Sequence, residues 1–293
     1  MWNDAGEHCS YVIEGDHAVL TRYWVEKGKP QPPVVEVPAF LGGMPLTAIG
    51  DCAFDNFDGI EGSDGIQTPY DGEQVERIVI PEGVTTLHEG AFICAHYVRR
   101  IELPTTLTEI QTGQTFNHVN AEIDFPSGNP FYRVEDGFLI DTRTNALLYC
   151  WPAAGELPLP RVRRVEDFAL ENYSVRQTVL EFPDSVEYIG RFNAYDCCDI
   201  ETIIVPGSVK ELADNAFQCN SAQEIILNEG LEKIGYWTFA DTEITSITIP
   251  STVQVMNEEA FGWWEPEELI LLNPDMIWEK TEDDWAYGED DGE

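Results

Sequence analysis

Apolar positions along this chain fall into one recurring pattern. In Val75-Glu76-Arg77-Ile78-Val79-Ile80-Pro81-Glu82-Gly83-Val84-Thr85-Thr86-Leu87 an alternating apolar run ends at a proline. Two further apolar anchors follow at Val84 and Leu87, and a small residue with a ring, Ala91-Phe92, closes the unit. Alternation at period two predicts a short strand with Ile78 and Ile80 inward and Val79 outward. Proline has no main-chain donor and so ends the strand.

The plan recurs with Ile101, Leu103, Pro104, Leu107, Ile110 and Thr115-Phe116, then with Leu180, Phe182, Pro183, Val186, Ile189 and Ala194-Tyr195. Three more copies carry Ile203, Val205, Pro206, Val209, Leu212 and Ala216-Phe217; Ile225, Leu227, Asn228, Leu231, Ile234 and Thr238-Phe239; and Ile247, Ile249, Pro250, Val253, Met256 and Ala260-Phe261. The strand-ending prolines are 23 residues apart from 81 to 104, from 160 to 183 and from 183 to 206; with Asn228 in the proline's place the next two steps are 22. One strand per repeat of this length is the mark of a leucine-rich-repeat stack. A single unit cannot bury its apolar side, so neighbours must stack into a continuous core. The expected fold is an α/β-type repeat solenoid of mostly short parallel strands.

Several segments resemble BspA-type leucine-rich-repeat proteins of bacteria and some protists. They are Tyr11-Val12-Ile13-Glu14-Gly15-Asp16, Val34-Val35-Glu36-Val37-Pro38, Pro45 to Phe54, and the interrupting element Asn129-Pro130-Phe131-Tyr132-Arg133-Val134-Glu135-Asp136-Gly137-Phe138-Leu139. The similarity runs from about Tyr11 to Leu272. It implies a right-handed curved stack and, from characterised relatives, attachment at a cell surface to host proteins or other bacteria.

Residues 1–33 read as an N-terminal hairpin cap, with alternation on both sides of Gly15-Asp16. The solenoid spans 34–272, with insertions near 55–74 and 127–156. The first is a turn-rich loop holding Asp58-Gly59, Asp64-Gly65 and Asp71-Gly72; the second suggests strands folded over the stack. Residues 273–293 read as a C-terminal cap built on Trp278, Trp285 and Tyr287, ending in a mobile acidic tail.

Charge narrows the partners. The 54 acidic against 16 basic residues give a formal net charge of -38. That field repels nucleic-acid phosphates and anionic membranes and favours basic protein surfaces. No stretch has the length and apolarity of a membrane span. The N-terminus lacks the basic and apolar regions of a signal peptide, which leaves a cytosolic protein or one whose leader has been removed. Oligomeric state is open.

Candidate chemistry is sparse. Seven cysteines at irregular spacing argue for reduced thiols over a disulfide framework. Cys94 near His96 and the pair Cys197-Cys198 invite a thiol or metal reading, but paired short spacings are missing and no metal or other cofactor is expected. Two residues after each ring stand Asn56, Cys94, His118, Asn172, Cys197, Cys219, Asp241 and Trp263, a polar or small ladder whose side chains are expected to bond neighbouring turns. His8, His17, His88, His96 and His118 pair with no nucleophile, and no nucleotide or hydrolase motif occurs. The Asp-Gly loop lacks the alternating ligand spacing of a calcium site.

The remaining candidate is the outward row of the strands: Val79, Glu102, Asp124, Glu181, Ile204, Ile226, Thr248 and Ile270. It is acidic in its first half and apolar in its second, and repeat stacks bind along such faces. Strand preference alone also accounts for the isoleucines. The chain therefore reads as a non-catalytic, adhesion-type protein-binding module, with a self-assembling scaffold joined through Trp263-Trp264 as the alternative.

Overall fold

The computed structural model describes residues 7–26, 32–55, 66–67, 75–95, 97–151, 158–171, 178–195, 197, 200–263 and 266–280. Within three runs, each pre-proline segment lies beside that of the next repeat as a parallel strand. Val34–Glu36, Arg77–Val79, Arg100–Glu102 and Glu122–Asp124 form one run; Val179–Glu181, Thr202–Val205 and Glu224–Leu227 a second; Ser246–Ile249 and Glu268–Leu271 a third. Register keeps equivalent residues opposite one another, as with Ile78 against Ile101 and Leu180 against Ile203.

The two apolar anchors after each proline do more than fill the core. They carry a second ladder, in which Thr86–Leu87 pairs with Met44–Ile49 and Glu109–Ile110. Past the interruption, Arg164–Val165, Tyr188–Ile189, Glu211–Leu212, Lys233–Ile234, Val255–Asn257 and Ile277–Glu279 follow as parallel neighbours. The turn with the ring makes a third ladder. There Asn215 donates to the Tyr236 carbonyl (2.7 Å), Phe217 to Thr238 (2.9 Å) and Cys219 to Ala240 (3.0 Å).

This corrects the α/β expectation: among the described residues there is no helix, and the stack is a β-solenoid of parallel strands. The turn segment is too short to repay helix nucleation. It also holds left-handed residues at both ends, Asn215 with Cys219 (φ 58° and 54°) and Trp237 with Asp241 (φ 50° and 54°). A right-handed helix excludes that conformation.

Rings line the core. Phe54 stacks on Phe92 at 5.1 Å and Phe92 on Phe116 at 5.9 Å, and Tyr149 continues the row at 5.0 Å from Phe116. The Tyr149 hydroxyl is buried and donates towards the carbonyls of Val119 and Ala121, 3.0 Å from each. One repeat departs from its sequence register. Its turn places Asn193, not Ala194, four residues after the anchor Ile189, in the small site that Ala216 and Thr238 fill after Leu212 and Ile234. The Asn193 amide there bonds the carbonyls of Glu166 (3.1 Å) and Gly190 (3.0 Å), while Tyr195 stays half-buried against the edge of Phe192.

The second insertion enters the stack instead of folding over it. Tyr132–Glu135, Phe138–Asp141 and Ala146–Cys150 form an antiparallel meander whose last strand joins Arg164–Val165 in parallel. Phe138, Ile140, Leu147 and Cys150 pack with the C-terminal repeats, whereas Leu139, Tyr149 and Trp151 pack with the N-terminal ones. Alternation sends successive side chains to opposite faces, so the meander is a septum between two cores. Arg143 fastens it. Its guanidinium holds Asp141 (2.6 and 3.1 Å) and donates to the Thr108 carbonyl (2.8 Å) and the Tyr132 hydroxyl (2.9 Å). At the N-terminal end, Glu7–Glu14 and His17–Glu26 form an antiparallel hairpin, and its second strand joins Met44–Ile49 in parallel.

A polar clamp ties some repeats at the turn after the proline. The Glu82 carboxylate accepts from the Thr105 amide (3.0 Å) and hydroxyl (2.9 Å), while Gly83 N–H donates to the Thr106 hydroxyl (3.0 Å). Glu229 and Gly230 repeat this on Ser251 and Thr252. Only glycine fits at 230: φ is 127°, and a Cβ would lie 2.0 Å from the Gly207 carbonyl oxygen.

Two outcomes follow from this packing. Phe217→Ala removes a fully buried ring and should cost about 3–5 kcal/mol, read as a lowered midpoint in chemical denaturation. The second concerns acid. The main-chain N–H of Thr105 holds the Glu82 carboxyl below the ordinary carboxylate range, and that of Ser251 does the same for Glu229. A depressed folded-state value means stability that is complete above the unfolded value and lost as pH falls through the folded one. Glu229→Gln should therefore lower the denaturation midpoint at neutral pH and flatten its decline on acidification below about pH 5.

Candidate functional site

The outward row is distributed over three sheet segments. Val79, Glu102 and Asp124 stand in register in the first, and Glu181, Ile204 and Ile226 in the second. Thr248 and Ile270 face each other in the third. Ile226 (38% exposed) and Ile270 (40%) reach solvent, Glu181 and Thr248 are exposed, and Val79, Glu102, Asp124 and Ile204 are half-buried.

The acidic half of the row is not a free acidic surface. Arg77 lies 3.2 Å from Glu102, and Arg100 lies 3.6 Å from Glu102 and 3.8 Å from Glu122 and bonds Asp124 directly. Two arginines thus neutralise most of the charge that the middle positions suggest. The signal for them was present in the sequence. Period two puts residues 77, 100 and 122 on the same face as 79, 102 and 124, and a reading confined to the middle of each strand passes over them. Glu181 differs: among the described residues it has no ion-pair partner.

The ladder residues owe their identity to the backbone more than to side-chain bonding. Cys94, His118, Cys219 and Asp241 all take left-handed φ between 54° and 56°, a region that small polar side chains tolerate best. Their N–H groups make the inter-repeat bonds, Cys94 to the Asn117 carbonyl (2.9 Å) and Cys219 to that of Ala240 (3.0 Å). At His118 the next repeat offers no such carbonyl. The buried Glu171 carboxylate takes its place, accepting the His118 amide at 2.9 Å and lying 2.9 Å from its imidazole Nδ1. Side-chain bonding does occur at Cys197, whose thiol sits 3.7 Å from the Leu170 and Glu171 carbonyls, and at Cys219, 3.6 Å from Asp241 Oδ2. Asn56, His96, Asn172, Cys198, Trp264, Trp285, Tyr287, the Asp-Gly turns of 58–72 and the acidic tail lie outside the described residues.

Cys9, Cys52, Cys94 and Cys150 are shifted away from the thiolate that nucleophilic chemistry needs. Burial pushes Cys9, Cys52 and Cys94 above the usual thiol value and Cys150 well above it, and neighbouring carboxylates add to the shift at Cys52 and Cys94. An activated cysteine needs the opposite displacement. Among the described residues no group of three or more His, Cys, Asp or Glu side chains gathers in a geometry that could hold a metal ion, and no helix is long and apolar enough to cross a membrane.

Parallel strands repeating every 22 or 23 residues around a ring-lined core define a leucine-rich-repeat β-solenoid. The model of the BspA type leucine rich repeat region matches residues 65–132 and 148–264 in six copies, well over half of the chain. The chain belongs to the BspA-type leucine-rich-repeat family. No curated protein matches it. Among solved structures it is similar to a leucine-rich repeat protein from Bacteroides ovatus, at 14% identity and a TM-score of 0.47, covering 94% of this chain and 66% of that one. It thus spans slightly under two thirds of that relative. It is also similar to a leucine rich cell surface protein from Faecalibacterium prausnitzii, at 15% identity and a TM-score of 0.41, covering 93% and 94% of the two chains. A leucine rich repeat protein of T. pallidum is similar at 20% identity and a TM-score of 0.37, covering 80% and 86%.

Exposure sets an order of thiol reactivity that labelling with a maleimide reports. The exposed Cys52 should react first, the half-buried Cys219 at an intermediate rate, and the buried Cys94 and Cys150 only on unfolding. Mass spectrometry of timed, quenched samples reads that order, and fast labelling of Cys94 in the folded protein would contradict its place in the core.

Proposed function

We propose that this chain is a non-catalytic module that binds a protein partner through the outward row of its strands. The observation that carries the reading is the pair Ile204 and Ile226, in register on adjacent strands with Ile226 38% exposed. They form an apolar step beside Glu181, which has no ion-pair partner among the described residues. In a chain of net charge -38, a partner seating an apolar anchor on the step would carry basic residues towards Glu181. The arginines of the first sheet segment move that acidic contact away from Asp124. Membership in a repeat family and thiols shifted away from the thiolate support the non-catalytic reading.

A scaffold that assembles with itself has one observation in its favour. At the C-terminal end Leu269, Leu271, Ile277 and Trp278 are 37–64% exposed, and Trp263 is 92% exposed. Mass in solution measured at several concentrations separates the two, since a monomer throughout excludes the scaffold.

For the binding reading, peptides selected from a random displayed library against the immobilised protein supply a ligand. Ile204→Thr with Ile226→Thr, both substitutions suited to strands, should leave the melting curve unchanged and abolish that binding. Added salt should weaken the parent interaction through its charged side. Undiminished binding by the double variant would remove this face from the function.

A further inference from the structure

The turn at Phe261 departs from the third-side ladder, and the departure puts a tryptophan in solvent. In the two repeats before it the left-handed residue comes two positions after the core ring, Cys219 after Phe217 and Asp241 after Phe239, with φ of 54° at each. After Phe261 it comes one position sooner, at Gly262 (φ 66°). A Cβ on Gly262 would lie 2.9 Å from that of Ala240, so the close passage there needs glycine. The chain turns a residue early, and Trp263 leaves the ladder position that the repeat register gives it. Its ring lies back against Trp237, with centroids 5.0 Å apart and planes at 77°. Trp263 is nonetheless 92% exposed, so its faces are open to solvent.

Trp237 is held in place from several directions. It occupies the left-handed position that Asn215 holds one repeat earlier (φ 50° and 58°). Its ring stacks on Tyr236 at 5.4 Å, and its indole N–H donates to Glu259 Oε2 at 3.4 Å. Two indoles thus make a nearly perpendicular corner with a carboxylate beside it. The surroundings are of one sign. Residues 213–219, 235–241 and 257–263, three successive turns on this side, hold Asp214, Asp241, Glu258 and Glu259 and no Lys, Arg or His. None of these four carboxylates has an ion-pair partner among the described residues. An indole face attracts cations through its quadrupole more strongly than any other ring, and uncompensated negative charge around it adds to that attraction.

We infer that this corner receives an arginine side chain of a partner protein. The guanidinium is planar, weakly hydrated and always charged, so it stacks on the Trp263 face while its N–H fork reaches the Glu259 carboxylate. A lysine ammonium matches the charge but offers no plane to stack. The inference rests on the protein-binding reading, and it names a site separate from the Ile204–Ile226 step, on another side of the coil.

The probes are N-acetyl-arginine methylamide, its lysine counterpart and its citrulline counterpart, which keeps the plane and loses the charge, all at matched ionic strength. The readout is the indole N–H signal of Trp263 in proton–nitrogen NMR spectra, assigned as the one that Trp263→Ala lacks. The arginine compound should move it saturably and bind at least about threefold more tightly than the citrulline one. Glu259→Gln, which keeps an acceptor for the Trp237 indole, should weaken that binding by about threefold. Trp263→Ala should melt with the parent, since the ring it removes is exposed, and the Trp237 indole signal should no longer respond to arginine. Equal binding of the citrulline or the lysine compound overturns the inference, as does the lack of a saturable shift at about 0.1 M arginine compound. A shift produced by rising protein concentration alone overturns it in favour of a second copy, and one produced by maltose but not by arginine in favour of a sugar. Absence of the arginine response while the Ile204–Ile226 step still holds its selected peptides overturns the corner and leaves the protein-binding function standing.

Discussion

Every repeat depends on the next one for the hydrogen bonds of its own backbone. On all three sides of the coil the N–H groups of one repeat find carbonyls one turn away, as Phe182 finds Ile204, Lys210 finds Glu187 and Phe217 finds Thr238. Buried main-chain groups without partners are costly, so no repeat is stable alone and no repeat can change pitch freely. Most other features follow from keeping that spacing. Left-handed turn residues hold the third side at constant length, and Asn193 fills a small site that a longer turn would have left wrongly occupied. Where the spacing fails, after His118, the side chain of Glu171 replaces the missing carbonyl.

Much of this was legible in the chain. Proline-ended alternation located the first side of most repeats, because a strand period and a strand terminator are both local properties. The second side was written as apolar anchors without being recognised as strands. Two-residue elements such as Glu211–Leu212 are too short to show a period, and only their neighbours make them a sheet. The missing helix has the same origin: nothing in Asn215-Ala216-Phe217-Gln218-Cys219 taken alone forbids one, whereas the bonds to Tyr236, Thr238 and Ala240 do.

The candidate surface was legible in position but not in charge. Glu102 and Asp124 stand where alternation puts them, yet Arg77 and Arg100, each on the preceding strand and the same face, hold them. Single-position readings miss charges that arrive from the flank, and long arginine side chains make such arrivals common.

The septum gives the molecule a mechanical character as well. Elsewhere each repeat grips only its immediate neighbours, so a pull on the termini would peel the coil from its ends, one turn at a time. At the septum the strand Phe138–Asp141 serves two cores at once, with Phe138 and Ile140 on one side and Leu139 on the other. It is held between two antiparallel neighbours as well as by the Arg143 fastening. Peeling that arrives from either direction meets there a unit that cannot come off by halves. The repeats around it are the last to extend, and the molecule has a stiff waist between two yielding arms.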